Sequence, residues 1–217
     1  MKKLILSFLF LCVVSVNLLA QGVKPPKNKQ CPDDNHPHMI DLALPSGTLW
    51  ACCNVDAKNP EDYGGYYAWG ETNTKSEYSW STYKYCDGDY NSCHDLGLSI
   101  CGTQYDVAHV KWGGSWQLPT LDQMDELLDQ CDKGEWTTLN GVEGRKFTGP
   151  NGGSIFLPAA GCRGGGVIFS SGPDGYYWTG TLHSGFIRIA FCLYFNSDDE
   201  DWYSFRCNGR TVRPVAQ

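Results

Sequence analysis

From Met39 onward the chain is a succession of short apolar or aromatic segments, each closed by a cluster of Gly, Asn, Asp or Pro. TLWACCNV, GYYAWG, GSWQLP, GRKFTG, GSIFLPAAG, GYYWTGT, IRIAFCLYF, WYSFR and TVRPV are strand-sized, and the turn residues around them mark them as strand candidates. In IRIAFCLYF, Ile187, Ile189, Phe191, Leu193 and Phe195 alternate with Arg188, Ala190, Cys192 and Tyr194. A period of two predicts one face on the core and the other turned outward. Two stretches, GGYYAWGET (64–72) and DGYYWTGTL (174–182), echo one another, but a single echo does not make a repeat array.

Helical periodicity of any length occurs once. Leu121, Met124, Leu127 and Leu128 form an apolar stripe running to Cys131, directly after Pro119. Thr120 and Gln123 have the spacing of a capping box, in which each side chain satisfies the other's backbone N–H. A helix over 121–130 is expected, with Asp122, Asp125 and Glu126 toward its positive end, and its role is to pack on a sheet. A shorter turn is expected at Asn59-Pro60-Glu61-Asp62, with Asn59 as cap and Pro60 at the first helical position.

Ahead of these elements, residues 1–20 carry two lysines, an apolar run and a small residue at Ala20, the pattern of a secretory signal peptide cleaved near Ala20. Cys12 lies in that run without the small residues a lipid-attachment site would place before it. The polar, proline-rich 21–38 reads as a linker or disordered lead-in. No second apolar stretch of membrane length follows, so no integral membrane segment is expected. The product is expected to be secreted, periplasmic or held at the cell surface, as a single domain over 39–217.

With 24 acidic against 17 basic residues, the formal net charge is −7, and losing Lys2 and Lys3 with the leader makes it more negative. Such a surface repels phosphate backbones, and no nucleic-acid partner is expected. Of the 11 cysteines only Cys12 falls in the leader. In an oxidising compartment the remainder would support up to about five disulfides. Paired C-x-x-C clusters are absent, which argues against zinc. Cys86, Cys93 and Cys101 crowd one loop and are expected to act as local staples.

At this point a family resemblance is carried by six motifs in order: DLALPSGTLWACCNV, PEDYGGYYAWGET, WGGSWQLPT, NGVEGRKFTGPNGGSIFLPAAGCR, GYYWTGT and RCNGRTVRPV. Together they resemble the Fibrobacter succinogenes major paralogous domain family over nearly everything from Ile40 to Val215. That family is similar to C-type-lectin-like and formylglycine-generating-enzyme-like folds. The resemblance implies an α+β, loop-rich, disulfide-stabilised domain with a twisted antiparallel sheet and about two helices. It also implies Cys86 bonded to Cys101 within its own loop, and Cys53 after the LWA strand bonded to Cys131 at the helix end. The C-terminal region resembles, in addition, the diversified end of proteins altered by diversity-generating retroelements. There Arg206, Gly209, Thr211, Val212, Arg213, Pro214 and Val215 match the closing R-x-x-G-x-[ST]-V-R-P-V and are read as scaffold.

Three functions follow from these residues. The first is a non-catalytic binding module whose loops display a recognition surface for a glycan or a protein ligand. After IRIAFCLYF comes NSDDEDWYSFRCNG, mixing aromatics and polar groups as paratopes do, and the surface is assigned to His183, Arg188, Tyr194, Asp199, Asp201, Trp202, Tyr203 and Asn208. Calcium-dependent sugar binding through Asp198, Asp199, Glu200 and Asp201 is the alternative, because hard cations want several carboxylates. Four acids in a row point in different directions, however, and the E-P-N, Q-P-D and W-N-D tripeptides of sugar-binding C-type lectins are absent. No resident cofactor is expected. The remaining reading is an enzyme, either a secreted hydrolase or a cysteine-dependent oxidase. Cys192 and Cys207 lie where formylglycine-generating enzymes keep a reactive pair, yet their spacing differs from C-x-x-x-x-C. His36, His38, His94, His109 and His183 stand beside no evident nucleophile, and neither G-x-S-x-G nor H-E-x-x-H occurs. A remote pair of carboxylates, as in glycosidases, would leave no local signature.

Overall fold

The structure, a computed structural model, describes residues 37–132, 134–198 and 200–217, with the backbone alone described for Glu200, Asp201 and Trp202. The expected signal peptide and all but the end of the expected 21–38 lead-in lie outside the described residues.

Antiparallel pairing dominates. Strands β1 (Met39–Asp41), β2 (Leu49–Ala51) and β11 (Val215–Ala216) form one sheet in the order β1-β2-β11. A second holds β3 (Glu135–Leu139), β4 (Val142–Thr148) and β5 (Ser154–Pro158), and a third holds β8 (Gly175–Leu182), β9 (Ile189–Phe195) and β10 (Glu200–Phe205), with β4 and β9 at the centre of each. A two-stranded ribbon, β6 (Cys162–Gly164) with β7 (Val167–Phe169), completes the set. With two α-helices, α1 (Val107–Trp112) and α2 (Leu121–Gln130), the class is α+β. Among the described residues no helix is long and apolar enough to cross a membrane.

The sheets are sewn together by the closing segment. Gly209 pairs with Arg163 beside the ribbon, Arg210 with Tyr67, Thr211 with Tyr177 on β8, and Val215 with both Trp50 on β2 and Gln117. Between them the Val55 N–H donates to the Val212 carbonyl at 3.0 Å and the Ala51 N–H to the Pro214 carbonyl at 2.9 Å. Two buried clusters flank this segment. One gathers Trp50, Met124, Leu127, Phe147, Tyr177 and Phe195; the other gathers Tyr67, Trp69, Ile100, Trp178, Cys192 and Val212. The two echoing stretches meet in the second: the Trp69 indole donates to the Thr179 carbonyl at 2.9 Å, and the Trp178 indole donates to the Tyr67 carbonyl at 2.8 Å. Buried tryptophan needs such an acceptor, and each stretch supplies one to the other. GYYAWG and GSWQLP are accordingly not strands; each contributes a single bridge to the closing segment.

The expected helix forms over its expected range. Thr120 Oγ1 accepts from the Gln123 N–H at 3.2 Å, and Gln123 Oε1 accepts from the Thr120 N–H at 2.9 Å, closing the box. Met124 and Leu127 are fully buried, and Leu128 packs at the edge of the same cluster. The six-residue α1 was not anticipated from the sequence; it is capped by the buried Asp106 carboxylate, which accepts from the N–H groups of Ala108, His109, Gly102 and Leu118 at 2.9, 3.2, 2.9 and 2.8 Å. Asn59 to Asp62 do turn, but the cap runs the other way. Asp62 Oδ2 accepts from the Asn59 N–H at 2.8 Å, because a carboxylate accepts more strongly than an amide.

Two expectations need correction. First, the alternation on β9 separates halves of the strand as well as faces. Ala190 and Cys192 are buried on one side, Leu193 and Phe195 on the other, while Ile189 and Phe191 stay half-buried. A central strand is covered on both faces, and here cover is lost only at its first residues. Second, Cys86 is bonded to Cys93, not to Cys101, and Cys131 is a free thiol, so it holds no bond to Cys53. Cys86 and Cys93 face each other across a tight antiparallel bridge. Cys101 instead packs against Gly180, where any side chain would strike its sulfur. The staple therefore closes a loop of its own rather than tying that loop to a distant element.

Replacing Thr120 by Ala removes the acceptor for the Gln123 N–H. The expected cost is about 1 kcal/mol, read as a lower denaturant midpoint at unchanged m-value. An unmoved midpoint would show that the cap contributes nothing.

Candidate binding surface

Where cover is lost on β9, a run of rings comes to the surface. Tyr203 lies opposite Phe191 and Phe205 opposite Ile189, so these side chains share one face of the sheet. His183, just beyond β8, stacks on Phe191 with centroids 5.4 Å apart and an interplanar angle of 19°. Phe186 packs on His183 at 5.1 Å. At the other margin Trp80 meets Phe205 edge-on at 5.8 Å. Tyr203, Phe186 and Phe205 are 61%, 51% and 48% exposed, unusual values for neighbouring rings in a buried-core domain. A hollow of about 280 Å³ lies among Ile189, Tyr203, Ser204, Phe205 and Asn208.

Beside this face β8 slips register against β9 between Trp178 and Leu182. The residues in the slip pair elsewhere: Gly180 donates to the Pro119 carbonyl at 2.8 Å, and Ile100 donates to the Gly180 carbonyl at 2.9 Å. Thr179 Oγ1 donates to the Phe191 carbonyl at 2.9 Å, tying the slip back to the central strand.

Beneath the rings, one side chain organises the margin. Arg206 is fully buried; its Nη1 donates to the Ile187 carbonyl at 2.7 Å and the His94 carbonyl at 3.0 Å, and its Nε donates to Tyr83 Oη at 2.8 Å. Its guanidinium lies over the Trp69 ring at 4.8 Å. The arginine thus fixes the loop after β8 relative to the stapled loop that ends at His94. Burial pushes the Tyr83 hydroxyl well above its ordinary value, so Tyr83 stays protonated beside that cation.

Of the residues assigned to recognition from sequence, His183, Tyr203 and Asn208 come together here, with Asn208 Nδ2 donating to Ser204 Oγ at 3.3 Å. Arg188 stands at the margin, its guanidinium 5.1 Å from the Tyr90 ring centroid. Tyr194 departs from the group. It lies on the opposite face of β9, packed on Tyr176 at 4.9 Å, with its hydroxyl accepting from Asn196 Nδ2 at 2.8 Å. Asp201 and Trp202 belong to β10, their side chains outside the described residues, as is Asp199 entirely. Sequence reasoning missed Phe186, Phe205 and Tyr90. The period of two that joins Tyr203 to Phe205 was available in WYSFR, whereas nothing local marks Phe186 or Tyr90.

The chemistry proposed for the other readings has these foundations. Cys192 and Cys207 are both buried, and burial pushes their thiols up to about 12 and about 11. A thiol must ionise to attack or to be oxidised, and these two stay protonated at neutral pH. Among the described residues no group of three or more His, Cys, Asp or Glu is placed to hold a metal ion. The side chains named for calcium, Asp199, Glu200 and Asp201, lie outside that description. Compared with protein-family models, curated proteins and solved structures, the chain matches none.

The buried thiols set an alkaline limit on the fold. Unfolded, they release protons near the ordinary 9.0; folded, they hold them to about 12 and about 11, so the folded state binds more protons above pH 9. Their contribution is complete below pH 9 and is lost as pH rises through the folded values. The thermal midpoint should therefore fall from pH 9 to 11, and fall less steeply in Cys192→Ala. Parallel slopes for the two proteins would refute this assignment.

Proposed function

We propose that the chain is an exported, non-catalytic ligand-binding module of the C-type-lectin-like kind, akin to the Fibrobacter succinogenes major paralogous domain family, and that its ligand is a surface glycan or protein. The observation that carries the reading is the ring face of His183, Phe191, Tyr203 and Phe205 on a rigid three-stranded sheet. Exposed aromatics offer much contact area with few rotors to immobilise, which is why Tyr and Trp anchor so many interfaces. Ser204 and Asn208 at the rim supply donors and acceptors to orient a partner. The leader at residues 1–20 supports export, and the acidic composition supports a partner other than nucleic acid.

A glycan and host-protein array probed with the mature chain supplies the ligand, and truncation then locates its site. Tyr203→Ala and Phe205→Ala should each weaken binding, by about 2 kcal/mol for a true anchor, with little change in thermal midpoint because both rings are exposed. Affinity retained in both variants would move recognition off this face. Binding abolished by chelation would instead favour the calcium-dependent lectin.

A further inference from the structure

Beside the ring face is a cavity of about 340 Å³, between the stapled loop and the turn after β8, lined by Tyr90, Asn91, Gly185, Phe186, Ile187 and Arg188. Its two walls are the segments that Arg206 holds together, through the His94 and Ile187 carbonyls. The Arg206 N–H also donates to the Arg188 carbonyl at 3.0 Å, fixing the backbone of the one cationic residue in the lining. Among the described residues, Arg188 forms no ion pair and its side chain donates no hydrogen bond; its guanidinium only stands beside the Tyr90 ring. A planar fork of donors with no protein acceptor, at a cavity in an acidic molecule, matches a carboxylate in geometry and charge.

The rest of the lining narrows the carrier of that carboxylate. Tyr90 and Phe186 line the cavity and are 47% and 51% exposed, although Arg188 lies over one ring and His183 packs on the other, while Asn91 offers both a donor and an acceptor. Ring faces suit the C–H side of a pyranose, and an amide suits its hydroxyls. The volume is at the lower end of ordinary ligand sites, which begin at about 300 Å³, and has room for one sugar ring. A net charge of −7 disfavours a polyanion and tolerates a ligand bearing one negative group per ring.

We propose that this cavity binds a carboxylate-bearing pyranose, a uronate or a sialate at the end of an acidic glycan, with Arg188 receiving the carboxylate and Tyr90 and Phe186 bracketing the ring. This rests on reading the region as a binding surface and names the class of sugar it takes. The test is titration of the mature protein, followed by NMR, with methyl β-glucuronide, a methyl α-sialoside, the uncharged methyl β-glucoside and an acetylated acidic peptide. One acidic sugar is expected to bind, identifying which of the two sources the site prefers, while the glucoside and the peptide bind at least about tenfold more weakly. Arg188→Gln should weaken the acidic sugar about tenfold or more, and Arg188→Lys should restore it only in part, since an ammonium cannot make the bidentate contact. Asn91→Ala, checked by thermal midpoint, provides an independent loss should Arg188 variants be poorly folded. Equal binding of the glucoside, equal binding of the peptide, no binding of either acidic sugar, or no effect of Arg188→Gln would overturn the proposal. Tyr203→Ala, which does not touch this lining, separates the two readings: loss of array binding there without acidic-sugar binding leaves the ring face standing and removes only the cavity.

Discussion

A guanidinium taken out of water must find acceptors inside the protein, and much of this fold is arranged around that requirement. Arg213, fully buried, donates to Asn54 Oδ1 at 2.9 Å and to the carbonyls of Phe156, Ala51 and Pro60 at 2.9, 3.3 and 3.4 Å. Those acceptors sit on β5, on β2, just after β2 and on the turn beyond it, so one side chain fixes segments far apart in sequence. Arg206 does the same at the other end of the closing segment, reaching the stapled loop and the turn after β8. Because these partners are mostly main-chain oxygens, the arrangement depends on backbone position more than on which side chains surround it. Displacing any of these segments leaves donors or acceptors dry, at about 1–3 kcal/mol for each group left unsatisfied.

That constraint explains why the surface beside it can be irregular. A register slip in β8 and a second in β9–β10, between Asp201 and Tyr203, would weaken an isolated hairpin. Here the residues that leave the ladder are caught by Pro119, Ile100 and Phe191, and the strand ends are held by Arg206. The first residues of β9 lie only partly covered beside these slips, and Tyr203 and Phe205, across from them on the edge strand β10, are exposed.

What could be read from the chain beforehand divides along the same line. The helix over 121–130 and its cap were legible because a box of two side chains three residues apart, followed by an apolar stripe, is decided locally. The turn-bounded segments gave strand candidates, and the α+β class was implied by the family resemblance rather than by any one of them. The disulfide partner of Cys86 was not, since Cys93 and Cys101 are both within reach and only the fold reveals that Cys101 is occupied against Gly180. Alternation in IRIAFCLYF set Ile189 and Phe191 on the core face with Leu193 and Phe195, whereas in the first half of β9 Ala190 and Cys192 are the buried pair, because the strand is central and its cover changes along its length. Tyr194 was misplaced for that reason: the pattern set it outward, and Tyr176 from the neighbouring strand covers it.

The arginines give a sharper way of separating scaffold from surface than exposure alone. The chain has six, and five of them commit their guanidinium to protein oxygens: Arg145 to the Asn196 carbonyl, Arg163 to the Lys75 carbonyl, Arg210 to Ser204 Oγ, and Arg206 and Arg213 as above. Each of these five is consumed in holding two parts of the chain together, and its loss would be felt first as instability. Arg188 alone makes no such bond among the described residues, although its backbone is fixed by Arg206 and its side chain leans on Tyr90. With its backbone fixed and its stem restricted by the Tyr90 ring, Arg188 leaves an incoming acceptor to order only the remaining side-chain torsions. The arrangement that makes Arg206 indispensable to the architecture is therefore the same one that leaves Arg188 available for recognition.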